Sequence, residues 1–220
     1  MTACKKGLRI GALNCNGLCT SLTKQSKILA KLTKDECDLF ILTDTRLTKE
    51  DVKNSPILFN LESYIVEPII EKQRKKTSRK RGVLILKPPK SEATLSQFID
   101  KNDGNRGYIK VEHPKSKPFY LAGIYGPNND NPAFFQELVH DVLDSGDPAL
   151  AIGDMNLRLD NKMDVTPPSL APSNETKVHF INDLIDEGLV TDAFRYLHPE
   201  TKSYSYMHPS QLPLNNKQKS

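Results

Sequence analysis

Runs of hydrophobic residues predict a chain rich in short strands. Apolar segments bounded by Gly, Pro, Asn or Asp indicate strands at residues 8–13, 38–43, 64–66, 82–86, 108–111, 119–125 and 149–152, with a further short strand at 203–206. The run at 38–43 is nearly continuous, which is typical of a strand covered on both faces. The short, proline-containing segment 113–118 favours a hairpin between its flanking strands.

Hydrophobic positions at helical spacing predict amphipathic helices at residues 22–32, 132–143 and 178–189, the last ended by Gly188. The proline-rich residues 164–174 are expected to be irregular. Residues 207–220 have no pattern that could form a buried element. The predicted fold class is therefore α/β.

Polar side chains stand at the ends of several predicted strands. They are Asn14, Asp44, Tyr125 and Asp154. Open α/β sheets tend to bind ligands outside the carboxyl ends of their strands. We therefore expect these four residues to converge on one edge.

The segment 149–159, ALAIGDMNLRL, carries the strongest candidate chemistry. A strand that stops at Gly153 presents Asp154 and Asn156 on one side, because side chains alternate with period two. Gly-Asp with a nearby Asn is also a common turn after any strand. Taken alone the pattern favours a turn, and the rest of the chain shifts the balance towards chemistry.

Length and composition limit the class of protein. A chain of 220 residues suffices for one large domain or two small ones, and no second core is indicated. No apolar run reaches the ~18 residues that span a bilayer, and the first residues lack an apolar stretch of signal-peptide length. We expect an intracellular protein with no membrane partner.

The cysteines and histidines do not indicate a metal site. Cys4, Cys15, Cys19 and Cys37 all lie in the first fifth of the chain, and none is paired at the two-residue gap of common zinc sites. Free, mostly buried thiols are the favoured interpretation. The five histidines are scattered and are expected at the surface or in turns.

Positive charge is concentrated in one segment. The net charge is only +4, but seven of the ten residues at 72–81 are basic and none is acidic. Repulsion at that density predicts a solvated loop, whose functional interpretations are contact with a phosphate backbone or nuclear import. The candidate nucleic-acid-binding residues are Lys72, Arg74, Lys75, Lys76, Arg79, Lys80 and Arg81.

Five motifs resemble, in order and spacing, the endonuclease/exonuclease/phosphatase family. They are IGALNCNGL at 10–18, LFILTDTRL at 39–47, RGVLIL at 81–86, LAGIYGPN at 121–128 and AIGDMN at 151–156. Residues 188–206 are similar, more narrowly, to the endonuclease domain of LINE-type non-LTR retrotransposons. The resemblance implies one such domain at residues 1–206, followed by a polar tail at 207–220.

The resemblance implies a DNase I-like four-layer α/β sandwich, in which two β-sheets pack face to face between helices. The implied reaction is metal-dependent hydrolysis of a phosphodiester, nicking DNA to leave a 3′-hydroxyl. The implied partners are DNA and a reverse transcriptase on the parent polyprotein, and the implied location is the nucleus.

The resemblance also implies roles for five residues. Asp154 would activate the attacking water, and Asn156 would bind the phosphate. Asn14 would support metal and phosphate, and Tyr125 would contact the scissile phosphate. Asp44 would hold the divalent ion, Mg²⁺ or Mn²⁺, since such hard cations prefer oxygen ligands.

Two departures from the family pattern bear on activity. Asp44 stands where the family usually has glutamate, so a metal would sit deeper or bind through water. The family's later Ser-Arg-Ile-Asp strand and terminal Asp-His pair have no match, and His208 fits neither. We expect a chain that lacks the last strands, exposes a sheet edge and has weak or no activity.

Two other functions remain open. One is a small-molecule phosphatase of the same fold, against which the basic segment and the retrotransposon-like residues 188–206 argue. The other is a non-catalytic nucleic-acid-binding remnant, which the missing terminal histidine favours.

Overall fold

A computed structural model describes residues 7–18, 21–73, 76–164 and 175–202. The described residues up to Asn128 form one compact unit together with Gln136–Asn156. Asn129–Phe135 form a second unit with the described residues from Leu157 onward. The fold is mixed α/β, as the hydrophobic pattern predicts.

Ten strands and five helices are found in the described part of the chain. The strands are β1 (Ile10–Asn14), β2 (Leu39–Thr43), β3 (Glu62–Val66), β4 (Ile69–Gln73), β5 (Lys76–Lys80), β6 (Val83–Lys87), β7 (Thr94–Asp100), β8 (Arg106–His113), β9 (Ser116–Tyr125) and β10 (Ala149–Asp154). The helices are α1 (Leu22–Lys34), α2 (Lys49–Lys53), α3 (Pro132–Asp144), α4 (Thr176–Asp186) and α5 (Ala193–Leu197).

The strands form two four-stranded sheets and a separate two-stranded hairpin. The first sheet has the order β1-β2-β6-β3, the second has the order β10-β9-β8-β7, and the hairpin pairs β4 with β5. β1 runs parallel to β2, and β10 runs parallel to β9, while the other pairs are antiparallel. β8 and β9 form the hairpin expected around residues 113–118.

The two large sheets pack face to face. Every residue of β2 is buried, which confirms the prediction from its continuous apolar run. Its alternate side chains enter two clusters on opposite faces of the first sheet. Towards α1 and α2 lie Leu32, Phe40, Leu42, Val52, Leu84 and Leu86. Towards the second sheet lie Leu39, Ile41, Val83, Ile85, Ile109, Val111 and Leu121.

Most of the described residues of the basic segment 72–81 lie in two paired strands and not in the predicted loop. β4 and β5 pair in register from Ile69 with Lys80 to Gln73 with Lys76. Acids outside the segment relieve its repulsion: Lys80 pairs with Glu71 at 2.7 Å, and Arg79 pairs with Asp51 of α2. The prediction of a loop was wrong because it considered only the charges of the ten residues themselves and not these acidic partners.

Besides β4 and β5, three further elements were not predicted from the sequence: β7, α2 and α5. In β7 a register shift between Ser96 and Ile99, with Gln97 at φ +51°, interrupts the alternation on which strand prediction rests. α2 and α5 have five residues each, too few to show helical periodicity. The predictions for residues 165–174, 203–206 and 207–220 lie outside the described residues.

Asp130 caps α4 from a distant part of the sequence. The residue at the N-cap position, Glu175, makes no side-chain capping bond. The Asp130 carboxylate instead accepts the backbone N–H groups of Thr176 and Lys177, each at 2.8 Å. The bond from Lys177, followed by that from Thr176, lowers the pKa of Asp130 below its ordinary value of 3.8.

We expect Asp130→Ala to lower the unfolding temperature at pH 6, because two N–H groups at the start of α4 lose their acceptor. Since the folded-state pKa is depressed, this stabilisation is complete above the unfolded value near 3.8 and is lost as the pH falls through the folded value. The unfolding temperatures of the wild type and the variant should therefore converge when unfolding is measured at pH 6 and at successively more acidic pH.

Asp186→Ala, which removes an exposed acid near the opposite end of α4, is the matched control. It should leave stability unchanged or raise it slightly, because a carboxylate opposes the helix dipole there. The capping role would be contradicted if Asp130→Ala lowered the unfolding temperature by the same amount at every pH.

None of the helices in the described part of the chain combines the length and apolar character needed to cross a membrane.

Candidate active site at the strand ends

The carboxyl ends of four strands meet at one place, and this convergence confirms the arrangement expected from the sequence. Parallel pairing puts Asn14 of β1 beside Thr43 of β2, directly before Asp44. It likewise puts Asp154 of β10 beside Tyr125 of β9. β1 and β10 are edge strands of the two packed sheets, and their last residues are in contact.

Asn14 and Asp154 join the two sheets through one hydrogen bond. The amide Nδ2 of Asn14 donates to Oδ2 of Asp154 at 2.6 Å. The orientation of the amide is fixed, because its Oδ1 accepts the backbone N–H of Asn16 at 2.8 Å. Asp154 makes the equivalent turn, with its Oδ1 accepting the N–H of Asn156 at 3.1 Å. Two matching turns therefore aim the carboxamide at the carboxylate.

Tyr125 belongs to the same cluster. Burial is the main cause that raises the pKa of its hydroxyl above 10, and the negative charges of Asp44 and Asp154 add to it. A hydrogen bond with Asn128 and the positive charge of Arg46 act in the opposite direction. The hydroxyl is thus protonated at neutral pH and can donate a hydrogen bond.

Asn156 lies beyond the strand, so the period-two argument does not apply to it. β10 ends at Asp154, and Asn156 has φ +49°. Its Nδ2 donates to the carbonyl of Gly126 at 2.8 Å, which ties the loop after β10 to the loop after β9. The Gly-Asp segment therefore forms the turn that the sequence also allowed, and the turn carries the candidate residues.

Left-handed backbone is concentrated at these strand ends. Non-glycine residues with positive φ there are Asn16, Asp44, Arg46, Arg81 and Asn156. Asn and Asp adopt this conformation readily, whereas at Arg46 and Arg81 it costs on the order of 1–2 kcal/mol each, and strain of this kind clusters at functional sites. The strain therefore supports the assignment of this edge as the site.

Asp44 is held by an arginine. Nε and Nη2 of Arg46 donate to Oδ1 and Oδ2 of Asp44 at 3.1 and 2.6 Å, and the backbone N–H of Arg81 donates to Oδ1 at 3.2 Å. The Asp44 side chain is only 8% exposed. A carboxylate offers about four lone pairs, and three of them are engaged here.

This arrangement does not fit a divalent ion at Asp44. An ion held by both carboxylate oxygens would need the edge that the guanidinium covers. Within the described residues, no group of three or more His, Cys, Asp or Glu side chains that could hold a metal is found. Of the cysteines within the described residues, Cys15 is buried and Cys37 is half-buried, and both are free thiols.

The candidate nucleic-acid-binding residues lie on and beside the hairpin. Lys72, Arg79 and Lys80 are exposed, and Arg79 and Lys80 are engaged in the ion pairs described above. Arg81 is half-buried and donates through Nη1 to the carbonyl of Asp103 at 3.0 Å. Arg74 and Lys75 lie outside the described residues, and Lys76 contributes backbone to β5.

Arg46 and Asn16 are site residues that the sequence analysis missed. Besides holding Asp44, Nη2 of Arg46 donates to Oδ1 of Asn16 at 3.3 Å. The only signal in the sequence is a charge of opposite sign two residues after Asp44.

Comparison with solved structures identifies the fold. The structure is similar to an AP endonuclease from Archaeoglobus fulgidus (TM-score 0.62, 13% identity, covering 96% of this chain and 82% of that chain). It is similar to the 3′ phosphatase NExo from Neisseria, bound to a product DNA hairpin (TM-score 0.63, 15% identity, 96% and 81%). It also resembles the endonuclease domain of TRAS1, a telomere-specific non-LTR retrotransposon (TM-score 0.53, 11% identity, 82% and 72%).

The chain therefore has the DNase I-like fold of endonuclease/exonuclease/phosphatase proteins, as its motifs predict. No protein-family model and no curated protein matches the sequence. At such low identities the structural likeness establishes the fold alone.

Proposed function

We propose that this chain is a phosphodiester hydrolase acting on DNA. The observation that carries the proposal is the 2.6 Å bond from Asn14 to Asp154, made across two sheets beside a protonated Tyr125. A carboxylate fixed in this way at a half-exposed strand end can accept a proton, and the surrounding amides and hydroxyl can donate hydrogen bonds.

Asp154 acts as the general base in this proposal. Its carboxylate takes a proton from a water whose oxygen bonds to phosphorus, while Asn14 keeps the carboxylate oriented. The bond from phosphorus to the 3′ oxygen breaks, and the departing 3′ oxygen takes a proton from solvent water to become the 3′-hydroxyl. The hydroxyl of Tyr125 and the second amide N–H of Asn156 donate to phosphate oxygens, whose negative charge grows in the transition state. Each residue stands at the end of a strand or in the turn after it, so the scaffold holds the set in place.

DNA is proposed as the substrate because of the basic hairpin and the retrotransposon-like motifs. Lys72 and Lys80 are exposed on the hairpin, and cations there would bind backbone phosphates by releasing counterions. By the resemblance, cleavage leaves a 3′-hydroxyl that a reverse transcriptase on the same polyprotein could extend in the nucleus.

The family resemblance implies Mg²⁺ or Mn²⁺ at Asp44. Because Arg46 covers that carboxylate, the proposed roles of Asp154, Asn14 and Tyr125 do not require an ion.

The test is nicking of supercoiled plasmid, with Mg²⁺ and with EDTA, by the wild type and by Asp154→Ala at equal folded concentration. Loss of the base should reduce nicking by roughly 10²-fold or more. Asp100→Ala is the matched control. Asp100 ends β7 and accepts the N–H of Asn102 at 2.7 Å, so it makes the same kind of turn as Asp154, but outside the site. Equal nicking by the wild type and Asp154→Ala would overturn the proposal.

A second candidate is DNA binding without cleavage. The Asp44–Arg46 pair favours it, because a divalent ion at Asp44 would have to displace the guanidinium. Salt-sensitive binding of duplex DNA by folded protein that nicks in neither condition would support this candidate.

A further inference from the structure

The position implied for a divalent ion is already filled by a cation from the chain. The guanidinium of Arg46 contacts both oxygens of Asp44, and its planar fork matches a carboxylate edge. A buried carboxylate needs a positive partner, and a metal and a guanidinium compete for the same edge.

The surrounding chain is built around this pair. Gly17 lies against the guanidinium: a Cβ there would stand 3.1 Å from Nη1 of Arg46. The backbone N–H of Gly17 donates to the carbonyl of Asp44 at 2.7 Å. A side chain at position 17 would therefore press on the guanidinium.

The loop that carries the pair is fixed from its other side as well. The N–H groups of Thr45 and Arg46 donate to the carbonyls of Gly82 and Arg81 at 3.1 and 2.9 Å. Asp44 and Arg46 adopt φ +48° and +57°, so the chain curls and brings the arginine back onto the carboxylate two residues earlier. An incidental surface ion pair would not have such support.

We infer that Arg46, and not a divalent ion, supplies the positive charge at Asp44. The left-handed backbone at Asp44 and Arg46 brings the guanidinium onto the carboxylate two residues earlier, at the position where the family usually has glutamate. The inference rests on the proposed function in placing the site at the strand-end cluster. Its test measures ion binding and does not depend on hydrolysis.

The test uses Mn²⁺ as the probe, with bound ions counted by electron paramagnetic resonance and the unfolding temperature measured with and without the ion. The wild type and Asp44→Asn should bind Mn²⁺ equally, and Mn²⁺ should raise neither unfolding temperature. Arg46→Ala exposes the carboxylate, so millimolar Mn²⁺ should raise its unfolding temperature by several degrees. The double variant Asp44→Asn/Arg46→Ala should lose that rise.

The inference is overturned if Mn²⁺ raises the unfolding temperature of the wild type and Asp44→Asn abolishes the rise. Arg46→Gln keeps a hydrogen-bond donor towards Asp44 and replaces Arg46→Ala if the latter does not fold. The comparison of wild type with Asp44→Asn decides the question without either arginine variant. Failure of the proposed hydrolysis would appear separately, as absent nicking.

Discussion

Gly153→Ala is expected to lower the free energy of unfolding by about 3 kcal/mol or more. A Cβ at this position would lie 2.0 Å from the carbonyl oxygen of Ile124, and the backbone has φ +147°, where side chains are strongly disfavoured. β9 and β10 would have to separate next to Tyr125 and Asp154, so hydrolysis should be lost as well. Denaturant unfolding and the nicking assay measure the two effects.

Gly146→Ala is the control for backbone strain alone. Gly146 has φ +66°, but a Cβ there would meet nothing within 4 Å. Gly146→Ala should lower the free energy of unfolding by only about 1 kcal/mol and should retain hydrolytic activity. Similar losses in the two variants would show that the close approach of the strands does not exist in solution.

Asn14→Asp should be the most damaging change that preserves side-chain size. It would put a second carboxylate at the position from which Asn14 donates to Asp154 at 2.6 Å. Two such carboxylates share a proton, and the pair titrates with one raised pKa. We expect hydrolysis at pH 7 to fall by roughly 10²-fold or more, because the base is then partly protonated and misoriented.

The pH dependence of stability provides a test of Asn14→Asp that is independent of activity. A carboxylate whose folded-state pKa is raised contributes stability below its unfolded pKa, and loses it as the pH rises through the folded value. The variant should therefore weaken towards neutral pH. Asn16→Asp should not weaken towards neutral pH, because the new carboxylate would lie beside the positive charge of Arg46. Identical profiles would mean that Asn14 and Asp154 are not in contact.

Much of the site could be predicted because it depends on where strands end. Asn14, Tyr125 and Asp154 follow apolar runs, and parallel pairing of β1 with β2 and of β9 with β10 brings such ends to one edge. The continuous apolar run of β2 likewise indicated a strand covered on both faces, which its burial confirms.

The parts that were missed depend on contacts between residues whose positions the local pattern does not fix. The Asp44–Arg46 pair requires two left-handed residues, which neither residue type specifies. In the hairpin, the charge of Arg79 is compensated by Asp51 of α2, which lies 28 positions earlier in the sequence. Local periodicity carries no information about either contact.

The bond between Asn14 and Asp154 divides the site between two sheets. The alignment of the two halves therefore depends on the side chains packed between the sheets, including Ile41, Val83 and Leu121. A methylene added or removed in that layer shifts one half of the site against the other. The apolar layer therefore sets the angle between the two halves of the site as well as holding the sheets together.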